Sequence, residues 1–234
     1  MVFFSNYQYA YLVGNILLFL IWFVIFYFRK DLRKEQIIVG LIVALFAPIT
    51  DYLFFFSDYW RPEYSMSLNL KSVVVGIESP LFGFLIGGIS TAIYEFFMKR
   101  KALFSKPRNF LTILVIISNI SGMFLLILIG LNSIWASVIM LILCSLYMVY
   151  KDKDLKGDMF WSSITLTFII IVLYSIWFWI YPDAYQKFWI VNNLSGLKIG
   201  RIPIEEVVWF FSAGLFIGIL YEFWKNVRTY RKLA

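Results

Sequence analysis

Seven windows of about twenty apolar residues dominate this chain, each long enough to carry an α-helix across the hydrocarbon core of a bilayer. They fall at about 9–28, 37–56, 74–97, 110–130, 134–150, 160–181 and 203–224. The uncharged block from Asn109 to Tyr150 is too long for one crossing, and Gly130-Leu131-Asn132-Ser133 is where a turn belongs. Only 15% of the residues are charged, against about 25% in a soluble domain. Aromatics reach 21%, as expected where rings gather at membrane interfaces. The sequence therefore specifies an all-α polytopic membrane protein with seven transmembrane helices and the lipid bilayer as its first partner.

Several chemistries are closed to it. The chain has no histidine, which excludes imidazole catalysis and His-ligated metal sites. Its one cysteine, Cys144, has no partner for an internal disulfide and reads as a small packing residue. Neither a metal nor an organic cofactor is expected. No basic residues precede the first apolar run, which is long enough to be a span and not a cleavable signal.

The net charge of +7 is a topology signal. Lys and Arg number 4, 5, 3 and 4 in the stretches Arg29–Lys34, Lys99–Arg108, Lys151–Lys156 and Lys225–Lys232. The N-terminus and the remaining loops carry 0, 2, 0 and 3. The alternation holds at every crossing, so the positive-inside rule puts the N-terminus outside and the C-terminus in the cytoplasm of a cell-membrane protein. Nucleic acid is not an expected partner; self-association is left open.

The chain also repeats itself. A shift of 127 residues lays "LKSVVVGIESPLFGFLIGGISTAIYEF" (Leu70–Phe96) on "LKIGRIPIEEVVWFFSAGLFIGILYEF" (Leu197–Phe223) without a gap. The first and second spans likewise overlay the fifth and sixth. "KDLR" at 30–33 and "KDLK" at 153–156 sit in equivalent loops, four residues out of that register. The expected plan is two parallel three-helix repeats, 1–108 and 133–234, joined by a linking helix within 109–132. Parallel repeats commonly hold a site between the halves.

The acids form two layers. Glu95 and Glu222 close the two spans in twin "YEF" motifs, where Lys99 and Lys225 offer ion pairs along the same helix. The outer layer holds Glu78, Glu205 and Glu206 at helix starts, with Asp51 at similar depth. Seventeen residues separate Glu205 from Glu222, roughly 25 Å along a helix, so the layers are distinct. Pro203 and an acid in the first turn suit a helix start, which accounts for one of the adjacent glutamates and leaves the other for chemistry. Around this layer lie Trp60, Tyr59, Trp189, Phe82, Trp209, Phe210 and Phe211. Aromatic faces stabilise cations and a desolvated carboxylic acid donates protons; together they suit a reaction that protonates an alkene and passes through a carbocation. Taken singly, each ring also fits an interfacial belt.

At "PIEEVVWFF" the sequence resembles the lycopene cyclase domain of the heterodimeric and fungal fused type, from carotenoid synthesis. That family has tandem membrane-spanning halves, each tending to carry a Pro-x-Glu-Glu-x-x-x-Phe-Phe-like motif at a helix start, matched here by Pro203, Glu205, Glu206, Phe210 and Phe211. "DYLFFFSDYWRP" looks like the segment preceding the motif in the first half, covering Asp51, Tyr52 and Trp60. The resemblance implies a hydrophobic carotenoid or isoprenoid substrate, cyclisation of its acyclic ends without net redox change, and proton donation or cation stabilisation by Glu205 or Glu206. The first half departs from the motif, reading Gly76-Ile77-Glu78-Ser79-Pro80.

Two other classes compete. Small sugar transporters of the SWEET type share a three-plus-one-plus-three plan, but their Pro-Gln motif is missing and the main mid-span polar residues are Ser118 and Asn119. A non-catalytic membrane protein that binds an isoprenoid is the other. A retinal Schiff base would need a lysine inside a span, and every lysine lies in a loop or at a helix end.

Overall fold

The computed structural model describes residues 6–70, 73–98, 101–104 and 106–230. Seven helices in it are long and apolar enough to cross a membrane. They are built on α1 (Ala10–Phe28), α2 (Arg33–Thr50), α3 (Glu78–Met98), α4 (Asn109–Leu128), α5 (Ser133–Lys151), α6 (Lys156–Ile180) and α7 (Ile204–Ile217). α2 continues through a π-helical turn, Asp51–Phe55, to Asp58. α7 breaks at Gly218-Ile219 and resumes over Leu220–Lys225. Asn132 caps α5, its side chain accepting from the Ile134 N–H, which fixes the turn expected there.

The third span begins at Glu78, later than the expected 74, because Val73–Gly76 pairs with Ser67–Leu70 as a hairpin. β-branched valines favour that pleated state. A shorter hairpin, Lys198–Ile199 with Ile202–Pro203, stands before α7 in the same place. The two KDL segments form matching 3-10 turns ahead of α2 and α6. The correspondence is therefore 123 residues for α2 with α6 and 127 for α3 with α7.

Within each half the second and third helices pack backbone to backbone. A Cβ on Gly87 of α3 would lie 2.9 Å from the Val39 carbonyl oxygen of α2. One on Gly214 of α7 would lie 2.5 Å from the Ser163 Cα of α6. Gly87 and Gly214 are equivalent in the 127-residue register, and small residues of this kind let apolar helices approach closely where no hydrophobic force distinguishes helix from lipid.

Backbone bonds join the segment after α2 to the segment after α6. Arg61 N donates to the Phe188 carbonyl at 2.7 Å and Ile190 N to that of Tyr59 at 2.9 Å, so Trp60 and Trp189 form an antiparallel bridge. Asp58, after α2, accepts from the Ser133 backbone N–H at 2.8 Å and from its hydroxyl, holding the start of α5. Asp183, after α6, accepts from the Tyr7 hydroxyl at 3.2 Å and so holds the segment ahead of α1.

Candidate active site

The outer acids separate by what they touch. Glu78 and Glu205, the starting acids of α3 and α7, are buried and fasten the loops in front of them. Glu78 Oε1 accepts from Ser65 N at 2.7 Å and from its hydroxyl at 2.5 Å. Glu205 Oε1 accepts from Ser195 N at 2.7 Å. A backbone N–H shut away from water without an acceptor is costly, so both carboxylates satisfy loop backbone. Neither borders the cavity described next.

Glu206 and Asp51 do border it. The cavity has a volume of about 240 Å³ and is lined by all seven spans. Its wall includes Asp51, Trp60 and Glu206 at one end and Ile217 and Leu220 towards the other. From Glu206 to Leu220 is roughly 20 Å along the helix axis, so the space is long and narrow. Phe82, Trp209 and Phe210 contribute rings to it, with Phe82 and Trp209 stacked at 6.5 Å between centroids. Asn119 of α4 is the mid-depth polar contribution. Phe211 is half-buried and outside this lining, and Trp189 stands behind Glu206.

Every hydrogen bond at Glu206 is received. Tyr59 Oη donates to Oε1 at 2.6 Å, Trp189 Nε1 to Oε1 at 3.0 Å, and Tyr174 Oη to Oε2 at 2.8 Å. Three donors around one carboxyl suit a group acting as acceptor only, its ionised form. Burial, and next the charge of Glu206, push the Tyr59 hydroxyl well above the usual phenol range, so it remains a donor.

Asp51 is held differently. Its Oδ2 accepts from Ser79 Oγ at 2.5 Å, and among the described residues that is its one hydrogen bond. Tyr64 Oη lies 3.5 Å from the same Ser79 oxygen, and burial raises the Tyr64 hydroxyl well above its ordinary value. Tyr11 and Ser79 also interact. Tyr64, Ser79 and Asp51 thus form a chain of exchangeable protons from the loop ahead of α3 to the cavity wall.

The repeat explains this asymmetry. Ser79 occupies the register of Glu206, and Asp51 that of Tyr174. Each half therefore spans its second and third helices with one acid and one hydroxyl, but with places exchanged: Asp51 on α2 with Ser79 on α3, Tyr174 on α6 with Glu206 on α7. Sequence reasoning selected Asp51 and Glu206 but passed over Tyr174 and the pairing role of Ser79. The four-residue offset of the KDL turns was the signal that would have found them.

At the other end of the bundle the expected Glu222–Lys225 ion pair gives way to another arrangement. Lys225 Nζ sits 3.4 Å over the Trp224 ring and not on Glu222. Glu222 instead turns into the bundle, where its ligand oxygen, one of Glu35 and one of Glu95 lie within 4.8 Å of one another. Lys99, the expected partner of Glu95, lies outside the described residues. Glu35 attracted no notice in the sequence because it stands in a basic stretch at the start of α2.

Comparison with protein-family models finds a match, over residues 8–97 and 132–224, to the one described as lycopene cyclase. No curated protein matches the chain, and no solved structure does.

Proposed function

Because this chain belongs to the lycopene cyclase family, whose model covers most of its length, we propose that it closes the acyclic end of lycopene or a related polyene inside the bilayer. Asp51 gives up the initiating proton and Glu206 steadies the cation that follows. Its general activity is that of a carotenoid cyclase; the residue roles are our reading.

The reaction needs no electron acceptor. A proton adds to the terminal carbon–carbon double bond and leaves a tertiary carbocation. A neighbouring double bond attacks that carbon, forming the ring bond and moving the positive charge to the far end of the attacking bond. Loss of a proton from an adjacent carbon restores a double bond. One proton enters and one leaves, so the product is an isomer.

The observation that carries this reading is that Asp51 and Glu206, alone among the four outer acids, line one long apolar cavity. Asp51 receives a single hydrogen bond and is connected to Tyr64 through Ser79, which supports its role as the group that loses and regains a proton. Glu206, fixed by three donors, supports an electrostatic role of the kind that a preorganised, water-poor site makes strong. Trp60, Trp209, Phe82 and Phe210 add ring faces where positive charge develops. In this reading Glu78 and Glu205 position loops, and Trp189 orients Glu206.

The distribution of Lys and Arg supports an outer location for the site, with the N-terminus outside and the C-terminus in the cytoplasm. The two family-matched segments and the paired half-sites support a division into repeats over 1–108 and 133–234.

The test is expression in a bacterium that accumulates lycopene, with pigments separated by chromatography. New monocyclic or bicyclic carotene, lost in Asp51→Asn and Glu206→Gln but retained in Glu205→Gln, is the expected result. Unchanged lycopene with verified membrane expression would overturn the substrate, and equal loss in all three variants would overturn the division of roles.

A further inference from the structure

The inner ends of α2, α3 and α7 bring together acids that the cyclisation chemistry does not use. Glu35, near the start of α2, Glu95, near the end of α3, and Glu222, on the continuation of α7, each offer one oxygen within 4.8 Å of the others. All three are buried, Glu222 to 3% exposure. The two repeat registers account for the grouping. Glu95 corresponds to Glu222 at 127 residues, and Glu35 corresponds to Asp158 at 123. Asp158 is itself 1% exposed and is an electrostatic neighbour of Glu222. Acids from both halves therefore gather at this seam, well away from the cavity end that holds Asp51 and Glu206.

Such a cluster asks for positive charge. Buried carboxylates this close cannot all be ionised without a counter-charge. Among the described residues, Arg29 is a cation whose field reaches both Glu35 and Glu95. Its guanidinium, however, is committed to Asp31, in an ion pair of 2.7 Å, and to the Glu95 main-chain carbonyl. Independently of proximity, Glu222 Oε2 and Glu35 Oε1 are buried with no hydrogen-bond partner. Buried oxygens with open lone pairs, converging on one point, are what an incoming ligand would satisfy.

The geometry points to a metal. We propose that Glu35, Glu95 and Glu222 bind one hard divalent cation, which clasps the two halves together at their inner ends. The donor set is oxygen alone, with no histidine in the chain and Cys144 elsewhere, so the ion belongs to the calcium, manganese and magnesium class. Oxygens that all lie within 4.8 Å of one another are close enough to share one ion of that class.

The experiment uses the purified full chain in detergent, stripped with EDTA and titrated with Mn²⁺ while free Mn²⁺ is followed by electron paramagnetic resonance. Saturable uptake is expected, displaced by Ca²⁺, with affinity weakened at least ~10-fold in Glu222→Gln and in Glu35→Gln. Thermal unfolding gives a second readout. Ca²⁺ should raise the Tm of the parent chain and leave Glu222→Gln unmoved. The stripped Glu222→Gln protein should be at least as stable as the stripped parent, because one like charge is gone. No saturable uptake, or uptake and stabilisation unchanged in both variants, would overturn the proposal and leave protons as the cluster's only occupants. None of these readouts depends on ring formation, so the cation site and the cyclase reading stand or fall separately.

Discussion

Ser79 Oγ donates to Asp51 Oδ2 across 2.5 Å, linking α3 to the turn that extends α2 at the position where the other half of the molecule carries Glu206. An acid lost from one helix by comparison with its repeat is matched by an acid on the neighbouring helix. The half-site stays complete although its motif does not. Asp51→Asn is accordingly expected to slow ring formation at least ~100-fold, the loss of a general acid. Ser79→Ala removes one hydrogen bond to that acid, worth about 0.5–1.5 kcal/mol when the partner is neutral, and should cost less, at most about 10-fold. Initial rates of product formation at matched expression distinguish the two.

Glu206 and Glu205 are neighbours in sequence with different partners, and their variants should separate. Glu206→Gln puts an amide NH₂ in place of one carboxylate oxygen, facing either Tyr174 or the Tyr59–Trp189 pair, which already donate. Activity should fall, and stability by about 1–3 kcal/mol for the donor left unmatched. Tyr59→Phe and Tyr174→Phe should each reproduce part of the activity loss. Glu205→Gln can still accept from Ser195 N through its amide oxygen and should keep most of its activity per folded molecule. Pigment analysis combined with detergent melting curves checks all four.

The packing seam between second and third helices predicts a stability effect without a catalytic cause. Ala at position 214 would place a methyl 2.5 Å from the Ser163 backbone, and at 87 one 2.9 Å from the Val39 carbonyl. Real Cβ atoms do not sit so close, so the helices must separate or shift, at about 1–3 kcal/mol or more for overpacking. Gly214→Ala should lower the melting temperature more than Gly87→Ala. A melting temperature unchanged in both would contradict the close approach.

Orientation is open to a labelling experiment. Asn192 and Asp154 are both exposed, in loops at opposite ends of α6. With buried Cys144 replaced by serine, a cysteine at position 192 should react with a membrane-impermeant maleimide in intact cells. One at 154 should react only after lysis. The reverse pattern would invert the topology inferred from the basic residues.

Much of the architecture was legible because a bilayer allows so few solutions: apolar length gives spans, and spans give the count. The matching 3-10 turns and hairpins ahead of the paired helices were foreshadowed by "KDL" and "YEF", which recur as whole words. The site was only half legible. Asp51 and Glu206 stood out as acids in apolar surroundings, but which glutamate faces the cavity depends on loop folding, with Ser65 and Ser195 capturing Glu78 and Glu205. Tyr174 is one aromatic residue among many until the 123-residue register sets it opposite Asp51. Glu222 was misread because helix periodicity offers it Lys225, and nothing local in the chain reveals that Glu35 arrives from another helix.

The backbone bridge between Trp60 and Trp189 has a mechanical consequence. The halves are fastened where residues 59–61 meet 188–190, directly over the end of the cavity that carries both acids. A widening that admitted the proposed substrate would be held at this fastening and would have to come from parts of the wall away from it. The reacting terminus would then be the part of the substrate that meets the least-moving part of the protein, and the trailing chain the part that meets the moving wall.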